Sequence, residues 1–247
     1  MKRIILVCFL LILVSCKMIN KAIVNHYANS FRLYVYSNDD KEVVYLPMVH
    51  ISKPEFYAKV KYKVDSLRSE GYTVFYESIA ADKGLDSLQK DLAERKKRKI
   101  VGFYPDYSNE KQFKSLQIKG FIQQAKNNTG IVDTLDIRGD LAVNKLIALY
   151  EKEKGEVMLS EYDLKTPLKE KYEGGKVNRH NSDFLIDSLR NYNLVKMVNE
   201  SKAEKIAVVY GKLHMYPLFL SLRKQDSLWH YVSIIELKNR RLQAVSQ

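Results

Sequence analysis

The stretch EVVYLPMVHISKPEFYAKVKYKVDSLRSEGYTVFYES, residues 42–78, constrains the fold more than any other part of this sequence. Two β-branched and aromatic runs, EVVYLP and TVFYE, flank a segment of helical period. In that segment Phe56, Val60, Val64 and Leu67 recur at spacings of four, four and three, which lines one face of a helix. Pro54 stands near its start and Gly71 just past its end, where each is tolerated best. Strand, helix, strand in this order predicts a βαβ unit, with parallel strands joined by a right-handed crossover.

The rest of the chain repeats these signals. RLYVYSNDDKEVVYLP reads as a β-hairpin around SNDD, KIAVVY as a buried strand, and LWHYVSIIEL as a final strand. GIVDTLDIRGD is a candidate strand or strand end. Helical patterns cover LAVNKLIALYEKEK, SDFLIDSLRNYNLVKMVNE and PLFLSLRKQ. Residues 82–126 are charged and mostly helical, interrupted by VGFYPDYSNE, and residues 152–178 are the least regular part. The expectation is a single α/β domain over residues 31–247, its central mixed, largely parallel sheet flanked by helices, with an N-terminal β-hairpin.

The N-terminus stands apart from that domain. MKRIILVCFLLILVSC has two basic residues, an apolar run from Ile4 to Val14, then Ser15 and Cys16. The order is that of a secretory signal, and the apolar run is too short to span a bilayer as a helix. LVSC resembles a bacterial lipobox, which predicts a signal over residues 1–15, a lipidated Cys16 and a leader over 16–30. The protein would then be lipid-anchored in the bacterial cell envelope, on the inner or outer membrane. Cys8 leaves with the signal, so the mature chain keeps no thiol for a disulfide.

Lys and Arg number 41 against 29 Asp and Glu, a net charge of +12. The bases are scattered among acids, so no nucleic-acid partner is expected. The one dense run, ERKKRK at 94–99, reads as a solvated helix face.

Three polar residues follow three of the predicted strands: His50, Glu77 and His214. Ligands of open α/β sheets collect outside the carboxyl ends of the strands, which gives the three a common place to meet. Two imidazoles and a carboxylate suit Zn, Mn, Fe or Co, and they also serve as an acid–base set without metal. Gly211 supplies the backbone freedom that a sharp strand exit before His214 calls for. His26 and His230 read as structural.

The quoted opening, from YLPMVH to FYES, resembles that of the TraB/PrgY/GumN family, which is related to the Tiki membrane-associated metalloproteases. AVVYGKLHMYPLFLSLRKQ resembles the family's late Gly-x-x-His motif with its following helix. Between them DIRGDL and NRHNSDFLIDSL resemble two middle segments, the second an Arg-Asn segment at a helix start. The likeness runs from about residue 42 to 225, with Pro47 standing where the family's first histidine motif has glycine. The resemblance implies a metal-dependent hydrolase, peptidases included, acting on a peptide or small molecule. His50, Glu77 and His214 would hold a divalent ion such as Mn, Co or Zn. Glu77, Arg179 and Asn181 would manage the proton and the oxyanion, the Arg-Asn pair being alignable as Arg179 with His180 or His180 with Asn181. Arg138 and Asp140 equally suit a structural ion pair. The alternatives are an acyl-ester hydrolase without metal, similar to erythromycin esterases, and a non-catalytic lipoprotein that binds haem or sequesters a peptide signal.

Overall fold

A computed structural model describes residues 31–82, 84–104 and 120–232. At its centre strand β2 (Glu42–Met48) lies parallel to strand β7 (Lys205–Gly211), in a register that pairs Tyr45 with Val208 and Met48 with Gly211. Strand β4 (Thr73–Tyr76) runs parallel on the other side of β7, and the two-residue strand β6 (Ile137–Arg138) runs parallel beyond it. Strand β1 (Tyr34–Ser37) pairs antiparallel with β2, and strand β8 (His230–Val232) antiparallel with β1. The order is β6-β4-β7-β2-β1-β8. A separate pair joins β3 (Ile51–Ser52) to β5 (Ile122–Gln123).

The mixed, largely parallel sheet and the hairpin are as the sequence predicts. Asn38 makes the hairpin turn, its Oδ1 accepting the backbone N–H groups of Asp40 and Lys41 at 3.1 and 2.7 Å. Side chains alternate across the sheet, and both faces are apolar, which is why the central runs lack polar positions. Val44, Leu46, Val74, Ala207 and Val209 pack beneath helix α1 (Pro54–Ser69), which buries Phe56, Val60, Val64 and Leu67. Val43, Tyr45, Phe75, Ile206 and Val208 face the other way. They meet helix α7 (Leu189–Glu200) through Leu194 and Val198, and helix α8 (Met215–Gln225) through Leu218 and Leu222.

Between these lie α2 (Ser87–Val101), α3 (Lys126–Thr129), α4 (Val143–Lys154), α5 (Glu161–Lys165) and α6 (Arg179–Asp183). A π-helical turn, Phe184–Ser188, links α6 to α7. Helices α2 and α4 share a third apolar cluster with Leu185 and Leu189.

The dense basic run is not the solvated face the sequence suggests. Lys97 and Arg98 are buried in α2. Arg98 donates to the carbonyls of Pro167 and Asp163 at 2.7 and 3.0 Å, and Arg95 to those of Asp163 and Thr166. Lys99 Nζ reaches the Asp163 carboxylate at 2.5 Å. The run clamps the α5 segment, whose end leaves carbonyls without helical partners.

The signal, Cys16 and the leader lie outside the described residues, as do residues 105–110 of VGFYPDYSNE and the part of the final strand beyond Val232. Among the described residues no helix is long and apolar enough to cross a membrane.

Candidate functional site

Because β2, β7, β4 and β6 are parallel, their carboxyl ends share one edge, and each delivers a polar residue there. His50 follows β2, Glu77 follows β4, Asp140 follows β6, and His214 closes the short 3₁₀ turn Lys212–His214 after β7. A fifth group comes from a helix. The π turn carries one extra residue per turn just before α7, and the next turn brings Arg190 under the strand ends.

Arg190 is the hub of the edge. Its Nη2 lies 2.5 Å from Glu77 Oε1 and 3.2 Å from Asp140 Oδ2, and its Nε lies 2.7 Å from Asp140 Oδ1. Its Nη1 faces His214 Nε2 at 3.3 Å and the Ile186 carbonyl at 3.4 Å. A guanidinium has five N–H donors in a fixed fork, and these five contacts use all of them. Glu77 Oε2 accepts the Gly211 N–H at 2.7 Å. Asp140 also accepts the Ser78 N–H at 2.8 Å and the Tyr210 hydroxyl.

The partners fix the protonation of His214. An arginine can only donate, so the facing Nε2 holds a lone pair and the proton sits on Nδ1. That Nδ1–H donates to Asn191 Oδ1 at 2.9 Å. Burial, and then the neighbouring Arg190 charge, push the imidazole pKa below its ordinary value against the pull of Glu77. Burial alone would raise the Glu77 carboxyl, but Arg190, helped by His50 and His214, holds it below the usual carboxylate range. The Arg190 pKa stands well above its ordinary value, because Asp140 and Tyr210 outweigh the lowering by burial. Burial and then Asp140 push the Tyr210 hydroxyl far up, which keeps it protonated as a donor to Asp140.

Gly211 serves this packing by size. Its φ of −51° needs none of the freedom expected of it. A Cβ at this position would meet Glu77 Oε2 at 3.0 Å and His214 Cδ2 at 3.3 Å. Pro47 lies within β2, past Tyr45, the last residue paired with β1. The strand continues to Met48, so proline does not make the exit.

A cleft of about 650 Å³ opens beside the hub. His50, Glu77 and Arg190 line it together with Ile79, Val101 and Ile186. His50 is exposed and stands near enough to Glu77 to act on its carboxyl electrostatically. His214 is buried and does not line the cleft.

This donor set does not fit the divalent ion that the sequence suggests. The permanently charged Arg190 fork already occupies the space between Glu77 and His214, and both nitrogens of His214 have partners. A dication there would face a guanidinium at contact distance in a buried setting, where like charges repel strongly. Among the described residues no group of three or more His, Cys, Asp or Glu side chains is clustered to hold a metal.

The predicted helper residues stand elsewhere. The Arg179 side chain is 92% exposed and faces Asp183 at 3.8 Å. Asn181 stands beside Tyr150, and its backbone N–H donates to Asn178 Oδ1, while His180 is exposed. None of the three lines the cleft. Asp140 pairs with Arg190 rather than with Arg138. The arginine and asparagine that do reach the strand ends are Arg190 and Asn191, an adjacent pair at the start of α7 that reading NRHN passed over.

The chain matches no family model, no curated protein and no solved structure. Fold and site define it as an α/β domain with a buried arginine–carboxylate centre at the carboxyl edge of its sheet.

Proposed function

We propose that this protein is a membrane-tethered hydrolase of the TraB/PrgY/GumN type that works without a resident metal ion. The observation that carries the reading is the Arg190 guanidinium, seated among Glu77, Asp140 and His214 where a metal was expected. In this reading His50, exposed on the cleft wall, takes a proton from the attacking water and returns it to the leaving group. The ionised Glu77 stabilises the imidazolium that forms. Arg190 Nη1 has the longest contacts of the fork, 3.3 and 3.4 Å, so it is the donor an oxyanion can claim at least cost. His214 and Asn191 hold that edge of the fork in place.

The Arg190–Asn191 dipeptide at a helix start supports the family likeness better than Arg179 and Asn181 do. The lipobox-like LVSC supports a tether through Cys16, which keeps the domain at the envelope.

The test uses p-nitrophenyl butyrate as a probe substrate, with metal content measured before and after chelation. The expected result is turnover that survives chelation and is lost in His50→Asn. Stoichiometric Mn, Co or Zn, with activity restored only by adding it back, would establish the metal-dependent alternative. Absence of turnover with a Soret band on adding haem would establish the binding alternative.

A further inference from the structure

The Lys, Arg and Glu side chains among the described lining residues of the cleft are already paired. Lys97 Nζ lies 2.5 Å from Glu94 Oε2, and Lys126 Nζ lies 2.6 Å from Asp133 Oδ1. Arg190 is shared by Glu77 and Asp140. The two lysines also sit over aromatic faces of the cleft, Lys97 at 5.6 Å from the Tyr104 ring and Lys126 at 5.2 Å from the Tyr76 ring. Each lysine and arginine among the described lining residues therefore has its carboxylate. Between these pairs the wall is apolar, built from side chains such as Ile79, Val101, Phe103, Ile131 and Ile186. Among the neutral buried side-chain atoms of the described lining residues, Gln124 Oε1 has no hydrogen-bond partner.

We infer that the cleft takes an uncharged ligand with an extended apolar part, such as a neutral acyl ester or amide, rather than a phosphate, a carboxylate or an amine. An ionic ligand would surrender its hydration and meet Lys, Arg and Glu side chains that, among the described lining residues, already have partners. An apolar chain gains from every methylene it buries against the wall. The volume of about 650 Å³ falls in the range of small-molecule sites. The inference rests on placing the site of the proposed hydrolase in this cleft, and it does not depend on turnover.

Isothermal titration of the intact protein at pH 7 with N-octylacetamide, octanoate and octylamine compares three head groups on one chain length. The neutral amide should bind at least tenfold more tightly than either ion. Shortening its chain by one methylene should weaken binding about fourfold. Phe103 is exposed, so Phe103→Ala leaves the fold intact, and it should weaken the amide about tenfold. Equal or tighter binding of octanoate or octylamine, indifference to chain length, or no binding of the amide would overturn the inference. Amide binding without any ester turnover would leave it standing and remove the hydrolase reading instead.

Discussion

Arg190 holds Glu77 through a 2.5 Å contact from Nη2 to Oε1, made between the start of a helix and the end of a strand. The same fork neutralises Asp140, so two buried carboxylates depend on one cation. With His214 neutral, the cluster sums to one net negative charge, and the Asp140 side chain is fully buried behind the fork.

Removing the cation should be far worse than removing surface charge. Arg190→Ala leaves Glu77 and Asp140 buried without a counter-ion, and breaking a buried pair costs about 3–5 kcal/mol. Arg190→Lys restores one charge but cannot reproduce five directed donors, so it should recover only part of that loss. Urea unfolding of the three proteins checks the order wild type, lysine, alanine. Equal midpoints would show that the fork contributes nothing to the fold.

Stability should also fall as pH drops through the range where His214 would titrate. Its folded pKa is depressed by burial and by Arg190, while Glu77, Asp187 and Asp140 pull the other way. The unfolded chain protonates this histidine near 6.5, so below that pH the unfolded state binds more protons and gains. The contribution is complete above about 6.5 and is lost as pH falls toward the lowered folded value. Glu77 adds a separate acid loss that begins only below its unfolded pKa of about 4.3, because its folded pKa is depressed too. Melting temperatures between pH 7.5 and 5 should decline for the wild type and decline less for His214→Gln. Parallel curves would show that His214 is not the group responsible.

The βαβ unit, the hairpin and the central strand were legible because burial imposes period two on strands and period 3.6 on helices, and both patterns survive in one sequence. His50, Glu77 and His214 were legible as strand-end residues for the same reason. The hub was not. Arg190 lies in a helical run where a buried arginine looks like any exposed one, and its direction depends on the π turn at Phe184–Ser188, which leaves no periodic mark. Reading NRHN as the Arg-Asn segment put the pair on the exposed Arg179, although the unbroken dipeptide at Arg190 and Asn191 was in view. ERKKRK misled similarly, since charge density alone cannot show that carbonyls of a distant segment are waiting for Arg95 and Arg98.

Lys41 ties the hairpin to the end of α7. Its Nζ donates to the carbonyls of Val198, Asn199 and Ser201 at 2.9, 2.7 and 2.7 Å. Those carbonyls have no helical partner, and the helix end favours a cation. Lys41→Met keeps the stem and removes the three donors, so it should cost about 1–2 kcal/mol. Hydrogen exchange should then speed up in the last turn of α7 and leave β7 unchanged. If the slow amides of β7 accelerated equally, the lysine would be supporting the whole domain rather than a cap.

Gly211→Ala separates the site from the fold. A φ of −51° is ordinary for alanine, so the backbone carries no strain. The added methyl, however, would stand 3.0 Å from Glu77 Oε2 and 3.3 Å from His214 Cδ2, closer than carbon comfortably approaches either atom. The carboxylate must then move off the Gly211 N–H and pull against its contact with Arg190 Nη2. Crowding of this kind costs about 1–3 kcal/mol in stability. The displacement falls on the group that faces His50, and misplacing a reacting group by about 1 Å can lower a rate about a hundredfold. Hydrolysis of p-nitrophenyl butyrate should therefore drop at least tenfold in a variant that still unfolds cooperatively. Wild-type turnover in a folded Gly211→Ala protein would mean that the position of Glu77 does not govern the chemistry.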